Sequence, residues 1–267
     1  MGLKFNESNH RYSMTTASGE WAPVTGATTL ISNGVPKPQL VPWAARTVAE
    51  FVRDNPLEVE RLRTAADVDM VRELAKAPDR VRDAAALRGT EIHGIAERII
   101  RGEAVEVPEQ HMAEVTGYLD FLDAWDITPV LTEVSVGNRT HWHSGRADLY
   151  ATSPHLAGGA PILLDLKTSR GVYGETALQL AAYALAEFYV TDDDPDTEHP
   201  LPEVAACYVA HVTPEGTHLY DLLPNRAEIR TAHAMFLAAS YTSKTKKQRD
   251  AYVKEPLQVP ERAESAA

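Results

Sequence analysis

Residues 145–183 read GRADLYATSPHLAGGAPILLDLKTSRGVYGETALQLAAY, and this stretch decides the fold of the chain. Two runs typical of β-strands are followed by an Ala- and Leu-rich run typical of a helix. The acid Asp148 lies in the first run, and Asp165–Lys167 (sequence DLK) ends the second. Gln179 and Tyr183 are four residues apart and share one face of the predicted helix. The pattern therefore predicts polar groups gathered at the ends of neighbouring strands.

Apolar spacing predicts strands and then helices in the N-terminal half. Residues 3–30 contain two predicted strands, Lys4–Tyr12 and Trp21–Thr28, and residues 39–128 follow the three- and four-residue spacing of helices. The segment Arg88–Glu91 is typical of a helix start with Thr90 as the N-cap, and this helix is expected to stop at Gly102.

From residue 129 the period changes to two, which predicts strands. The predicted strands are Val130–Val136, Trp142–Ala151, Pro161–Lys167, Val204–Val212 and Thr217–Leu222, and the predicted helices are Thr176–Tyr189 and Ala227–Ser240. A strand–helix–strand unit beside hairpins indicates an α/β fold with a mixed central β-sheet flanked by helices.

We expect one domain over residues 1–255, in which residues 39–86 form a helical elaboration and residues 88–190 carry the motifs. Residues 256–267 are rich in Pro, Glu and Ala and are predicted to form a flexible tail. A length of 267 residues is sufficient for a sizeable core.

Composition excludes several classes of protein. The formal net charge of −12 argues against non-specific coating of nucleic acid, although it is compatible with an enzyme that acts on it. There is neither a membrane-length apolar run nor an apolar signal-peptide core, so we expect a cytoplasmic protein. A single cysteine, Cys207, precludes an intrachain disulfide and a cysteine-ligated iron–sulfur cluster, and we expect it to be a buried thiol.

The acids of the two strands carry the chemical signal. In a regular strand Asp148 would share a face with Arg146 and Tyr150, and alone it would be an ordinary exposed acid. Asp165 directly follows an apolar run, where a carboxylate is costly to bury unless it is paired or metal-bound. Lys167 could form a simple salt bridge with it, or could orient water and offset charge on a phosphate. Carboxylates suit Mg²⁺ or Mn²⁺, and two such ions can stabilise the attacking and leaving oxygens of a phosphodiester.

Two helical pairs extend the pattern. His93 could supply a nitrogen ligand, and Glu97, four residues later on the same helical face, could be a ligand or an outer acceptor. Gln179 and Tyr183 could belong to a packed helix face, or they could contact DNA or the reactive water beside the metals. Each pair alone is a weak signal, but their order along the chain with the two acids is a stronger one.

The ordered run GTxIHxxxE, GxxD, DxK and QLxxY resembles the PD-(D/E)XK nuclease superfamily, whose fold is restriction-endonuclease-like. Within it, the run is most similar to the RecB-type nuclease domain of CRISPR-associated exonucleases and phage-encoded exonucleases. The resemblance covers residues 88–190. It implies metal ligands at His93, Asp148, Asp165 and the Leu166 carbonyl.

The same resemblance implies that Lys167 is the catalytic lysine and that Gln179 and Tyr183 match the helix pair of that family. Glu133 matches an acid often found before the GxxD strand and is a weaker candidate. Many CRISPR-associated relatives carry four cysteines for an iron–sulfur cluster, and this chain departs from them in that respect.

The resulting expectation is a metal-dependent DNA exonuclease of phage or bacterial recombination or DNA processing, located in a bacterial or phage-infected cytoplasm. Its partners would be DNA and a single-strand-annealing or recombination protein, and Arg170 and Tyr183 would line a DNA channel. Two alternatives are an endonuclease of the same superfamily and a non-catalytic DNA-binding relative. We interpret the acidic run Asp192–Glu198 as a solvated loop, and His141 and His143 as loop or strand-edge residues.

Overall fold

The computed structural model describes residues 1–6, 9–65 and 69–257. Its centre is a nine-stranded sheet that does not close on itself. The strands are β1 (Leu3–Asn6), β2 (Arg11–Thr15), β3 (Trp21–Gly26), β4 (Thr128–Asn138), β5 (His143–Thr152), β6 (Ile162–Lys167), β7 (Phe188–Val190), β8 (Ala206–Thr213) and β9 (Gly216–Leu223). The predicted α/β class with a mixed sheet is therefore confirmed.

The strand order leaves a short stretch of β5 without a partner strand on one side. The main path runs β1-β2-β3-β5-β6-β8-β9, with β4 pairing β5 and β7. Along one edge, β5 pairs in parallel with β3 at His143 and Ser144, and antiparallel with β6 from Leu149 onward. Residues 145–148 lie between these two ladders, and they contain the GRAD sequence.

Helices cover both faces of the sheet. They are α1 (Ala27–Gly34), α2 (Leu40–Asp54), α3 (Pro56–Thr64), α4 (Met70–Leu74), α5 (Ala77–Ile100), α6 (Met112–Ala124), α7 (Glu175–Ala184), α8 (Arg226–Lys244) and α9 (Lys246–Asp250). Helices α1, α7 and α8 pack on one another over one face, whereas α5 and α6 cover the other. The helical elaboration corresponds to α2–α4 and the first turns of α5.

Two apolar clusters follow from this layering. One contains Leu180 of α7 and Phe236 of α8 against Val136 and Leu163, and the other contains Tyr118 and Phe121 of α6 against Leu164. Strand β6 is buried on both faces, which is why its sequence ILL is continuously apolar rather than alternating. Cys207 of β8 is fully buried, as predicted.

Three predicted boundaries are wrong. Lys4–Tyr12 is not one strand: β1 and β2 form a hairpin in which Asn6 pairs with Arg11, and His10 takes a positive φ of 51° at the turn. The helix predicted to end at Tyr189 ends at Ala184, and Phe188–Val190 pairs with β4 as an extra strand. Aromatic and β-branched residues favour that strand once an edge is available for pairing.

Thr90 is the third correction, because it is not an N-cap. It lies inside the 24-residue α5, and its hydroxyl donates to the Ala86 carbonyl oxygen at 3.1 Å. The cap-like sequence is overridden by packing of α5 along the sheet. The predicted stop is confirmed, since α5 ends at Ile100 and Gly102 has a φ of +79°.

Two expectations fall partly outside the described residues. The predicted helical region 39–128 includes residues 66–68, which are not described, and its described part contains α2–α6. The tail prediction for 256–267 lies outside the described residues from 258 onward. Within the described part of the chain, no helix has both the length and the apolarity required to cross a membrane.

His143 shows how burial constrains the fold at acidic pH. Its side chain is fully buried, its ring meets Phe236 edge-on with 4.8 Å between ring centroids, and neither ring nitrogen has a hydrogen-bond partner in the described structure. Burial first, then the neighbouring His233 and Lys244, lower the pKa of His143 to about 3. The folded chain therefore holds this imidazole neutral.

We predict that His143→Leu makes unfolding less sensitive to acid. Because the folded pKa lies below the unfolded value of about 6.5, the stability due to neutral His143 is present above pH 6.5 and is lost as the pH falls toward 3. The loss of unfolding free energy between pH 7 and pH 5 should shrink by about 2 kcal/mol. Urea titrations at both pH values measure it, with exposed His218→Leu as control; equal slopes for both variants and the wild type would contradict the prediction.

Candidate functional site

The Asp148 carboxylate occupies the point where β5 and β6 separate. Its Oδ2 accepts a hydrogen bond from the Leu166 backbone N–H at 2.8 Å, beyond the last β5–β6 ladder pair. The side chain thus replaces a ladder contact and brings the Leu166 backbone beside the acid. The Leu166 side chain itself is buried in the apolar cluster beneath α5 and α6 that contains Tyr118 and Phe121.

Asp148 also interrupts the alternation expected of β5. Ala147 and Tyr150 pack in the cluster beneath α7 and α8, whereas Leu149 packs in the cluster beneath α5 and α6. Tyr150 is fully buried and donates its hydroxyl to the Tyr183 carbonyl oxygen at 3.1 Å. The prediction that Tyr150 shares the face of Asp148, with Ala147 and Leu149 opposite, is therefore wrong.

Asp165 is buried, with 2% of its side chain exposed, and is held on two sides. Its Oδ2 lies 2.6 Å from the Lys167 ammonium, and its Oδ1 accepts a hydrogen bond from the Gln179 side-chain amide at 2.9 Å. Gln179 reaches it from α7, the helix that follows β6. The structure brings the sequence candidates Asp165, Lys167 and Gln179 together, and the Gln179 amide orients the acid. This contact was not predicted, since Gln179 was expected to pack on a helix face or to contact DNA or water.

Helix α5 brings His93 to the same point. His93 Nδ1 lies 3.7 Å from Asp148 Oδ2. One turn earlier, Gly89 faces the end of β6 so closely that a Cβ there would lie 3.0 Å from the Thr168 hydroxyl. The absence of a side chain at residue 89 therefore allows α5 to approach the strand that carries Asp165 and Lys167.

Glu133 of β4 completes a three-residue cluster. Ligand atoms of His93, Glu133 and Asp148 all lie within 4.8 Å of one another, and all three side chains are half-buried. Glu133 has a positive φ of 52°, a conformation rare for a residue with a side chain. Glu133 was the weaker sequence candidate, yet it lies in this cluster, whereas Asp165 is engaged by Lys167 and Gln179.

The electrostatics of the cluster show an excess of negative charge. Burial first, and then the charge of Asp148, raise the pKa of Asp165 to about 7. Burial and Asp148 likewise raise the pKa of Glu133 to about 8, even though Arg146 acts in the opposite direction. Burial disfavours a charged Lys167, but Asp165, Asp148 and Glu133 outweigh it and hold the pKa of Lys167 above its usual value.

Arg146 links the cluster to the acidic run. Its Nε donates to Glu133 Oε2 at 2.9 Å, and its two terminal nitrogens donate to the Asp192 carboxylate at 2.8 and 3.1 Å. Glu97 lies 3.9 Å from the same guanidinium and 2.7 Å from Arg101. Asp192 is therefore more than a solvated loop residue, which the sequence did not indicate, since Asp192 lies far from Arg146 along the chain.

Tyr183 lies in the core behind the cluster. Its side chain is 3% exposed and packs against Gly145, where a Cβ would lie 2.1 Å from a ring carbon. The glycine of GxxD and the tyrosine of QxxxY therefore form one packing unit. Tyr183 does not reach the surface, contrary to the prediction that it contacts DNA.

A cleft of about 930 Å³ opens over the cluster. One wall is α5 and the other is formed by residues 167–170 after β6 and residues 212–215 at the β8–β9 turn. Arg170 lines this cleft, as predicted, and has no ion pair in the described part of the chain. Arg88 also lines it and pairs with the buried Glu114 of α6.

The loop after Lys167 is fixed from the neighbouring strand. His211 of β8, the ladder partner of Lys167, contacts the Ser169 carbonyl oxygen through its Nε2 at 2.7 Å. This contact holds the segment that presents Arg170 to the cleft. His211 was not a sequence candidate, and no motif spacing would have identified it.

The residues present fit a divalent cation. Carboxylate oxygens with one imidazole nitrogen are suitable ligands for Mn²⁺, and carboxylates and carbonyls for Mg²⁺. Ligand atoms around an octahedral ion lie at most about 4.2 Å apart, twice the metal–oxygen distance of about 2.1 Å. Adjacent ligand atoms around such an ion lie only about 3.0 Å apart, so the three side chains, whose ligand atoms lie within 4.8 Å of one another, must move closer together before all of them could bind one ion.

Comparison of the sequence with models of known protein families and with curated proteins finds no match in either case. The assignment of a function therefore depends on the geometry of the site and on the motif resemblance.

We predict that Gly145→Ala destabilises the protein by about 1–3 kcal/mol, because the new methyl group overlaps the Tyr183 ring in a packed core. Gly94→Ala is the matched control, since a Cβ at that helical position meets nothing within 4 Å. The control should be neutral or slightly stabilising. Thermal and urea unfolding of both variants provide the measurement, and equal stability of the two would show that the Gly145–Tyr183 contact is not tight.

Proposed function

We propose that this chain is a divalent-metal-dependent deoxyribonuclease of the PD-(D/E)XK type, similar to RecB-type and phage exonucleases. The observation that carries the proposal is the convergence of His93, Glu133 and Asp148 beside the Asp165–Lys167 pair in one cleft. Four separate elements contribute these residues; His93, Asp148, Asp165 and Lys167 belong to the sequence motifs, and Glu133 is the weaker candidate that the resemblance implies.

In this proposal His93, Glu133 and Asp148 hold the cation, with Asp165 and the Leu166 carbonyl adjacent. Bound Mg²⁺ or Mn²⁺, as one ion or two, would supply Lewis acidity and make a water molecule more acidic. The raised pKa values of Asp165 and Glu133 are compatible with this assignment, because they reflect burial first and then the neighbouring charge of Asp148.

Lys167 acts as a cation in this proposal. Its surroundings favour the protonated form, so the ammonium is suited to offset charge on the phosphate or to donate a proton. Gln179 fixes the other oxygen of Asp165, which keeps the Asp165 carboxylate turned toward Lys167. The chain thus positions an acid and a lysine before any substrate is bound.

DNA would enter the cleft between α5 and the segment that follows β6. Arg170 is the cation best placed to meet a phosphate there, because no carboxylate in the described residues pairs with it. A net charge of −12 gives little long-range attraction to DNA, so binding must come from such local contacts. We propose that strand ends are the preferred substrate, within recombination or DNA processing.

We predict that Asp148→Asn and Asp165→Asn each lower Mg²⁺- or Mn²⁺-dependent cleavage by more than about 100-fold, because each removes a charge that the site uses. Asp193→Asn in the exposed acidic run is the control with the same charge change. End-labelled oligonucleotides on denaturing gels measure cleavage. Normal turnover by either folded site variant would overturn the assignment.

Lys167→Ala should abolish cleavage to a similar extent but retain Mn²⁺ binding, because a protonated amine does not ligate a metal. Calorimetric titration with Mn²⁺ beside cleavage rates separates the two effects. A variant that loses Mn²⁺ binding and yet cleaves normally at saturating Mn²⁺ would contradict this role.

Preference for ends is tested with linear and covalently closed circular DNA, single- and double-stranded, at the same metal and salt concentrations. We expect linear DNA to be degraded at least tenfold faster, because bases at an end are the least costly to unpair. A tenfold ratio corresponds to a free-energy difference of about 1.4 kcal/mol. Equal rates on circular DNA would favour the alternative, an endonuclease of the same superfamily.

A further inference from the structure

We propose that Arg146 is a phosphate-binding residue for the DNA strand and that Asp192 occupies its binding face until DNA displaces it. The inference rests on the proposed nuclease function, because it assigns a path to the substrate of that site. It begins from the Arg146–Asp192 pair, in which both terminal nitrogens of the guanidinium donate to one carboxylate. A phosphate accepts the same two parallel hydrogen bonds from arginine.

The position of Arg146 favours this exchange. Its side chain lines the catalytic cleft and is 23% exposed, and its Nε remains bound to Glu133 while the terminal nitrogens face Asp192. Release of Asp192 would therefore leave the guanidinium oriented by Glu133. Both terminal nitrogens would then lack a hydrogen-bond partner beside the cluster where cleavage is proposed, and Glu97 would remain 3.9 Å from one of them.

Of the carboxylates that hydrogen-bond to Arg146, Asp192 is the more exposed and the more easily displaced. Its side chain is 55% exposed, so solvent screens the attraction and an exposed ion pair of this kind contributes little stability. The rest of the acidic run is attached elsewhere: the Pro195 carbonyl accepts from Leu3 N–H at 3.0 Å, Asp196 pairs with Lys4, and Glu198 accepts from Arg139. The Asp192–Arg146 ion pair can therefore break while the other contacts of the loop remain.

A second groove lies on the other side of the pair. Its volume is about 770 Å³, and its lining includes Lys4, Arg11, Trp21, Ser135 and Asp192. Ser135 is the ladder partner of Arg146, so the Arg146–Asp192 pair stands between this groove and the catalytic cleft. Lys4 lies 4.2 Å from the centre of the half-exposed Trp21 ring.

Opening the pair would join the cleft and the groove into one path. A phosphate on Arg146 would lie near the cluster, and the strand could continue toward Lys4, Arg11 and the face of Trp21. Cationic and aromatic side chains of this kind suit single-stranded DNA, whose bases stack on aromatic rings. The structure thus assigns to Asp192 the role of a stand-in for phosphate.

The test compares Asp192→Asn with Asp193→Asn, two neighbouring substitutions that change net charge equally. Binding of a fluorescein-labelled single strand is measured by anisotropy with Ca²⁺, and KM and kcat are measured with Mg²⁺. We expect Asp192→Asn to bind about two- to fivefold more tightly than Asp193→Asn, the range that release of one exposed ion pair allows. The gain should appear in Kd and KM rather than in kcat.

Arg146→Gln supplies the second arm. It should weaken binding about tenfold or more and reduce the slope of log K against log salt concentration by about 0.7, as expected for one lost phosphate contact on a single strand. In the Arg146→Gln background, Asp192→Asn should give no gain, since the two substitutions act through one contact. A gain that persists there would identify a general charge effect and overturn the proposal.

Equal Kd and KM for Asp192→Asn and Asp193→Asn would also overturn it, and would leave the pair as a structural contact. Failure of the proposed function is distinguishable from these outcomes. In that case the wild-type protein neither binds nor cleaves DNA, whereas failure of this inference alone leaves cleavage intact and the two Asn variants alike.

Discussion

The hydrogen bond from Leu166 N–H to Asp148 is the contact on which the rest of the site depends. It forms where β5 has left β3 and is about to meet β6, so a carboxylate substitutes for a backbone partner in the sheet. Since a buried N–H without a partner costs about 1–3 kcal/mol, the fold requires an acceptor there. The same acid lies 3.7 Å from His93. After burial, it is the next largest cause of the raised pKa values of Asp165 and Glu133. One side chain thus supplies both the acceptor that the Leu166 N–H requires and a negative charge of the candidate metal site.

Packing around this point explains why the motifs contain the residues they do. Gly145 leaves room for the Tyr183 ring, Gly89 allows α5 to approach Thr168, and Gln179 reaches across to Asp165. In each case a residue of one motif is matched in size or hydrogen bonding to another element. The motif spacing therefore records a three-dimensional fit between β5, β6, α5 and α7, and only part of it concerns groups that could touch a substrate.

The class of fold was predictable because its signals are local, whereas the candidate site residues stood out only through the order of the motifs along the chain. Apolar runs with period two, an Ala- and Leu-rich helix and the acids at strand ends are all visible within short windows of sequence. The errors arose where tertiary packing overrides a local signal. Thr90 is typical of a cap but lies inside α5. Strand alternation places Tyr150 on the face of Asp148, but its side chain packs in the cluster beneath α7 and α8. The contacts of Asp192 with Arg146 and of His211 with Ser169 join residues distant in sequence, and composition alone contains no information about either.

Charge pairing within the cleft determines how a protein with a net charge of −12 could still bind a polyanion. Arg88, Arg146 and Lys167 each contact a carboxylate of the same chain, so the cleft does not present free cations at these positions. A phosphate must therefore compete with a carboxylate, and the outcome depends on how firmly each carboxylate is held. Glu114 and Asp165 are buried and fixed, whereas Asp192 is more than half exposed. Exchange of a carboxylate for a phosphate is thus least costly at Arg146, which makes that residue the point where the internal charge balance of the site can change on binding.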